Sequence, residues 1–586
     1  MRSTFSGLNT MVRGVFANQL SLDTVGHNIT NASTEGYSRQ AVNQAATRAQ
    51  EVPSLYGGAL VGTGVDAMSI QRARNVYADK QYWAETSTHE YYKAEQVNYD
   101  KLEAIFDDSD KTGIKNAMDA FYKAWNDLSA NASTDSNRVT VIEKGNIFVD
   151  KMRTAASQLQ DQINAQYDDM RVHLTTINDI NDQIVELNKN IMGAEAVGAS
   201  ANDLRDQRDL LVDKLSTYMN INVYEDDKGM YTLVSNGISM VNGINKLTLE
   251  MSEPVTNKDY GLNDYSIQIK ESGIAFIPQN GALRAEMDTI AEDKGYIDSL
   301  ANMAAFMLTT FNTMHQQGVG IDGTDGDIGE YTYGDANYTG PTYGINFFGD
   351  NNTIYEWDDT NKCVTATQYN SIKRSLSDPS ALTDTPEVTL IGNTQIGNTD
   401  NLKGIRILNT LGINAEITAT GGTKLVSARS LSVVQTTDGN GAYNGYAVKA
   451  NGTKDGTNAV NLSALFNLDS SNIAKIENMS KVIHNNTPAV DMNNRSIDKV
   501  SLNAYYQSVM SQLGTDASSV DNKESAQADL ITQIVNWRSS TSGVDWNEEL
   551  TNMITFQKGY SACSRCLTTM DEMLDRLINS TGVVGR

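Results

Sequence analysis

Cysteine is nearly absent: Cys363, Cys563 and Cys566 are the only three in 586 residues. A large secreted protein stapled by disulfides would carry more. Cys563 and Cys566 form a CxxC, but they sit inside a strong helical pattern, with no second CxxC and no nearby histidine. They read as packing residues. Long apolar runs are missing as well. No stretch reaches the roughly 18 residues that a membrane span needs. Ser6, Asn9, Thr10 and Arg13 interrupt the N-terminal MRSTFSGLNTMVRGVF, which excludes a secretory signal. No membrane insertion is expected, and the chain stays in the cytosol or leaves by a route that needs no cleaved signal. Basic clusters are also lacking. Against 46 Lys and Arg stand 72 Asp and Glu, a net charge of −26. That balance repels nucleic acid and anionic membranes.

Catalytic constellations are equally hard to find. The five histidines, His27, His89, His173, His315 and His484, are far apart, and none has a partner at metal-ligand spacing. A GxGxxG string at Gly318, Gly320 and Gly323 follows a helical pattern and runs into a loop, whereas a dinucleotide site needs a strand before it and a helix after it. Asp322, Asp325, Asp327 and Glu330 do not keep the order of a calcium-binding EF-hand loop. There is no nucleophile elbow and no P-loop. The sequence therefore predicts no enzyme, no catalytic or metal site, and no cofactor.

What the chain does have is helical periodicity at both ends. Phe5, Leu8, Val12, Val15, Leu22 and Ile29 lie at spacings of three, four or seven, on one narrow face of a helix that should stop near Asn31. After Gly543, the residues Trp546, Leu550, Met553, Gln557, Tyr560, Cys563, Leu567, Met570, Leu574 and Leu577 repeat the three-and-four spacing, with only Gln557 clearly polar. A stripe two positions in seven wide has the width of a coiled-coil seam. Each helix alone would be marginal in water. The seams can be covered by each other, by neighbouring copies, or by the body of their own chain.

At roughly 150 residues per domain, the length suggests about four domains. Residues from about 71 to 220 read as mainly helical. Ile114, Met118, Phe121, Trp125 and Leu128 mark one segment. From about Asp135 a longer seam runs through Val149, Met152, Ala156, Leu159, Ile163, Met170, Ile177, Ile180, Ile184, Leu187 and Ile191. Unbroken, it would be on the order of 80 Å long. Short β-like runs follow from 221 to 278, helix returns from about Leu283 to His315, and 323–485 is rich in Gly, Asn and Thr with strand candidates such as EVTLIG and GYAVKANG. Helix resumes near Leu502. The fold class is multidomain α+β: a long α-helical trunk with paired N- and C-terminal coiled-coil-like helices and inserted β-rich domains. Residues 1–56 with 543–586 form a terminal helical core domain. Residues 57–345 with 486–542 form a mainly helical trunk domain with a β-rich segment at 221–282. Residues 346–485 form β-rich inserted outer domains.

Several stretches resemble one family. HNITNASTEGYSRQ, 27–40, is similar to the Asn-Ala-Asn-Thr-Pro-Gly-Tyr segment shared by flagellar rod, hook and junction proteins. Asn31, Ala32, Thr34, Gly36 and Tyr37 match it; Ser33 and Glu35 depart, and the missing proline makes a less rigid turn. More discriminating are GGALVGTGVDAMSIQRARNVYADKQY at 57–82, DLRDQRDLLVDKLS at 203–216 with Asp206, Arg208 and Asp209 in place, FNTMHQQGVGIDGTDG at 311–326, DGTNAVNLSAL, YYQSVMSQLG, and the terminal segment 542–578. These resemble the flagellar hook-associated protein 1 family, the first hook–filament junction proteins. The resemblance fades from about 327 to 450.

The resemblance implies a structural subunit of the bacterial flagellum, exported through the flagellar type III channel without a cleaved signal and placed outside the cell. The implied partners are copies of itself in a homo-oligomeric ring, hook protein, the second junction protein (hook-associated protein 3), and an export chaperone on the C-terminal segment. Phe5, Leu8, Val12, Val15, Leu22 and Ile29 would face Leu550, Met553, Tyr560, Leu567, Met570, Leu574 and Leu577, or their symmetry mates. Two alternatives stay open: a hook or distal-rod subunit, and an adhesin or hydrolase activity in the insert.

Overall fold

The structure, a computed structural model, describes residues 6–54, 57–107, 112–321, 327–332, 338–339, 344–376, 388–437, 439–441, 443–467 and 501–580. Helix α1 (Ser6–Thr30) ends where the expected turn begins. Two nested antiparallel ribbons follow: β1 (Gln40–Ala46) pairs with β4 (Val65–Arg72), and β2 (Gln50–Ser54) pairs with β3 (Gly57–Val61). The outer ribbon lies along α1.

The trunk is built from α2 (Val76–Ile105), α3 (Ile114–Ala130), α4 (Asp135–Glu195) and α5 (Asn202–Tyr218). The side chain of Asn75 starts α2 by accepting from the amides of Tyr77 and Ala78, which have no partner inside the helix. Helix α4 runs unbroken for 61 residues, about 90 Å at ~1.5 Å per residue. Its predicted seam is buried at every position except Leu187, which is half-buried. The three-and-four spacing held over so many turns keeps one face against α3, α5 and the next helix, α6 (Ala282–Phe306). The periodicity predicts continuous helix to His315, but a wider π-turn, Met307–Phe311, separates α6 from α7 (Asn312–Gln316). Asn312 stabilises this turn. Its oxygen accepts from the amides of Phe347 and Phe348, both at 2.9 Å, and its nitrogen donates to the Leu308 and Phe348 carbonyls.

The β segments are small and antiparallel. Asn222–Glu225, Tyr231–Ser235, Ile238–Asn242 and Asn245–Lys246 form a four-stranded sheet. Farther along, Thr353–Asp358, Cys363–Gln368 and Asp400–Leu402 form a second sheet, and Asp327–Thr332, Tyr443–Ala450 and Leu431–Thr437 a third. Short helices α8 (Ile405–Thr410) and α9 (Ala415–Thr418) lie between these strands, and α10 (Thr457–Ala464) follows the last of them. The described part of 346–485 places Phe347, Phe348, Leu408, Leu462 and Phe466 in the same core as Phe121, Trp125, Phe148 and Phe311 of the trunk. Aromatic rings there meet mostly edge to face or tilted, at 4.9–6.2 Å between centres. The chain closes with α11 (Leu502–Ser542), which lies along α2, and α12 (Trp546–Ser580), which lies along α1. The Asp545 carboxylate accepts from the amides of Asn547 and Glu548 and so caps α12. No described helix is long and apolar enough to cross a membrane.

Candidate assembly interface

Helices α1 and α12, from opposite ends of the chain, run antiparallel and touch along their length. Four contacts fix the register: Gly7 faces Met570, Gly14 faces Cys563, Asn18 faces Gly559, and Asn28 donates to Glu549 at 3.1 Å. The first two pairs are seven residues apart on both helices. A Cβ on Gly14 would lie 2.9 Å from Cys563 Sγ, and one on Gly559 would lie 2.4 Å from Asn18 Oδ1. The helices thus approach closely because these positions lack side chains. Cys563, read from sequence as a packing residue, fills the notch at Gly14, and Cys566 is exposed.

Along this contact α1 places Gly7, Gly14, Asn18 and Asn28 against α12. The buried residues of α1 are Ala17, Ser21, Thr24, Val25 and Asn28. The predicted seam, Leu8, Val12, Val15, Leu22 and Ile29, is half-buried and sits about 100° round the helix from the stripe of Gly7, Gly14, Ser21 and Asn28. Phe5 lies outside the described residues. On α12, Met553, Leu567, Met570 and Leu574 are half-buried, whereas Leu550, Tyr560 and Leu577 are exposed, at 45%, 38% and 54%. Trp546, Ile554, Met573 and Ile578 of α12 and Phe16 of α1 are exposed too. Together these side chains form an exposed apolar surface on the flanks of the helix pair. The glycines at 7 and 14, seven residues apart, were the available signal for the intrachain contact. A search weighted toward bulky residues passes over it.

The turn after α1 ties the helix pair to the trunk. Asn31 donates from both its backbone and its side chain to the His27 carbonyl. Thr34 donates to Asn31, and the Tyr37 amide donates to the Thr34 carbonyl, winding a tight turn in which Ala32 is half-exposed. Gly36 has φ +78° and stands against Leu210 of α5, where a Cβ would come 3.0 Å from the Leu210 Cβ. Gly36→Ala should therefore destabilise the docked turn by about 2 kcal/mol, read as a lower urea midpoint. The Tyr37 hydroxyl donates to Asn28 Oδ1 at 2.8 Å, and the same oxygen accepts from the Gln40 amide. Burial, and then Asp203, Asp206 and Glu549, push the Tyr37 phenol up, so it stays a donor. Arg39 reaches from the strand side to Glu549 and Glu548 of α12, both at 2.7 Å.

Beneath the turn lies a buried joint of charges. Asp206 accepts from the Ser38 amide at 2.9 Å and from Arg72 at 2.7 Å. Asp209 accepts from Arg72, Arg74 and the Tyr231 hydroxyl, at 2.8, 2.9 and 2.7 Å. Arg74 also pairs with Asp79, and Arg538 of α11 pairs with Asp79 and Asp213. Three arginines thus bind four carboxylates drawn from α2, α5, β4, α11 and the link before α2. Burial alone would raise the Asp209 carboxyl; Arg74 and Arg72 outweigh it and hold it below the usual range. Arg208 points the other way. It is fully buried over the Tyr231 ring, 3.4 Å from its centre, and donates to Asn188 and the Gly229 carbonyl. Asp206, Arg208 and Asp209 were singled out from sequence. Arg72, Arg74 and Asp79 lie in the quoted 57–82 stretch, but the pairing of Arg72 and Arg74 with Asp206 and Asp209, and of Asp79 with Arg538, was not legible. Among the described residues, no three His, Cys, Asp or Glu side chains converge as a metal site requires.

Comparisons with known proteins agree with one another. Residues 99–328 match the model of the flagellar hook-associated protein FlgK helical domain, and 538–580 match the flagellar basal body rod FlgEFG protein C-terminal model. Flagellar hook-associated protein 1 of Bacillus subtilis is 26% identical over the whole of both chains. That of Escherichia coli K12 is 25% identical, covering 98% of this chain and 99% of its own. In fold, the chain is similar to the flagellar hook junction protein FlgK of Burkholderia pseudomallei, with a TM-score of 0.53 over 79% of this chain and all of that one, at 18% identity.

Proposed function

The chain belongs to the flagellar hook-associated protein 1 family, and from that premise we propose that it is a structural rather than catalytic subunit at the junction between flagellar hook and filament. The observation that carries this reading is the terminal helix pair, whose inner stripe is closed by small residues while its apolar flanks face outward. Neighbouring copies cover those flanks and close a ring, with Leu8, Val12, Val15, Leu22 and Ile29 on one side and Leu550, Tyr560 and Leu577 on the other. Fully burying one exposed side chain of this kind contributes roughly 1.5–3 kcal/mol, so the eight named here, even partly covered, suffice for a stable contact. The ring's two faces meet hook protein and the second junction protein. Before assembly, the exposed stripe of α12 is the segment an export chaperone shields during passage through the flagellar export channel to the cell exterior. Residues 1–56 with 543–586 act as the assembling unit, and the rest of the chain is the body it carries.

Electron microscopy of cells lacking the gene, with the medium assayed for flagellin, tests this. Complete hooks without filaments, and flagellin lost to the medium, are the expected result. Absent hooks would move the role to the hook or rod, and intact filaments would overturn it.

A further inference from the structure

Midway between the charged joint and the aromatic core, three trunk helices meet around polar groups. Asp293 of α6 is fully buried. Its Oδ1 accepts from Asn98 of α2 at 3.0 Å, and its Oδ2 accepts from Gln162 and Gln166 of α4 at 3.1 and 3.0 Å. No cation bonds to it among the described residues, and Lys101 is the positive group that acts on it from a distance. Nearby on α6, Glu292 and Glu286 each bury an Oε2 that has no hydrogen-bond partner, and Gln166 Oε1 is likewise unpartnered. Facing Glu292 from α2 are Glu95 and Tyr99, with Asp288 beside it; Lys523 of α11 acts on Glu95 and Asp516 of α11 on Tyr99. Glu286 pairs with His173 at 2.7 Å, near Asp169. Four turns along α4, Phe148 begins the aromatic block, which packs Phe121, Phe311 and Phe347 together and buries no carboxylate among these rings.

Asp293 and Glu292 lie in this helix interface with no cation bonded to them among the described residues, and such carboxyls weaken it because their ionisation there is poorly compensated. We propose that this layer is a built-in weak point of the trunk, which opens before the aromatic block and opens more readily as pH rises. Burial pushes the Asp293 carboxyl up to about 7, against the lowering effect of the Asn98, Gln166 and Gln162 amides. Burial and then Glu95 push Glu292 up to about 7 as well. Both groups ionise near the ordinary value of ~4 once the layer opens. The stabilisation they give is therefore complete below pH ~4 and is lost as pH rises to about 7.

Hydrogen exchange of the full chain at pH 5 and pH 8, corrected for intrinsic chemical rates, tests the proposal. Amides in 95–102, 159–170 and 289–297 should open at least tenfold more at pH 8, while those around Phe121, Phe148 and Phe311 change little. Asp293→Asn should reduce the pH effect and raise protection at pH 8, and Glu292→Gln should do so in part. Equal opening of the layer at both pH values, opening of both regions by one common factor, or an undiminished pH effect in Asp293→Asn would each overturn the proposal. The wild-type comparison decides alone if that variant does not fold.

Discussion

Leu567→Asp is expected to abolish assembly while leaving the trunk folded. Leu567 is half-buried on α12, between Cys563 and Met570, which meet Gly14 and Gly7. A carboxylate placed there must be desolvated whenever the helix pair or a neighbouring copy covers it, with no cationic partner supplied, at a cost of several kcal/mol. The trunk core draws on α2, α3, α4, α6 and α11 and includes no residue of α1 or α12, so it should not sense the change. The variant protein should restore no filaments to cells lacking the gene. Its far-UV circular dichroism should fall by no more than the two terminal helices contribute, and the near-UV signal of the buried Trp125 should persist. An equal loss of trunk helicity would sink the idea that assembly and body are separable.

Asp209→Ala should be the most damaging single change in the joint, lowering stability by about 3–5 kcal/mol, because it strands Arg72 and Arg74 in a buried site with too few carboxylates. Both arginines and the Tyr231 hydroxyl lose a partner at once. Urea unfolding should show the loss. Limited proteolysis should then cut within α5, residues 202–218, faster than in the wild type. The sign of the acid response follows from the same geometry. The Asp209 carboxyl is held below its usual range, so its contribution is present above pH ~4 and disappears as pH falls below that. A variant whose stability matched the wild type from pH 7 down to pH 3 would show that the joint contributes nothing.

Helices whose apolar residues repeat over many turns were legible in the sequence. The α4 seam could be read position by position because its three-and-four spacing matches the buried face nearly everywhere. Both terminal helices were legible for the same reason, but the face each turns to the other was not. Close helix packing is made by residues with little side chain, and Gly14 and Gly559 carry no hydrophobic signal. The joint was half legible. Asp206, Arg208 and Asp209 stood out as a run, whereas Arg538 lies more than 300 residues beyond its partner Asp213, and no local pattern links them. The π-turn before α7 answers to Asn312 and the Phe347–Phe348 backbone, a tertiary demand with no local trace. The apolar residues of the described 346–467 segment are scattered between Gly- and Asn-rich turns, so their share in the trunk core becomes visible only once Phe347 and Phe466 are seen beside Phe121.

The register of α1 on α12 also dictates where a probe can be attached. Gly7 and Met570 are neighbours, so a dye or affinity handle near either residue lands at one and the same tip of the molecule, beside the apolar flanks. Two such labels would report helix pairing by energy transfer, but a bulky one at either place would obstruct the surface under study. The exposed Val139, near the start of α4 and most of that helix's length away from the end that meets the turn after α1, is the better anchor for imaging the protein in living cells.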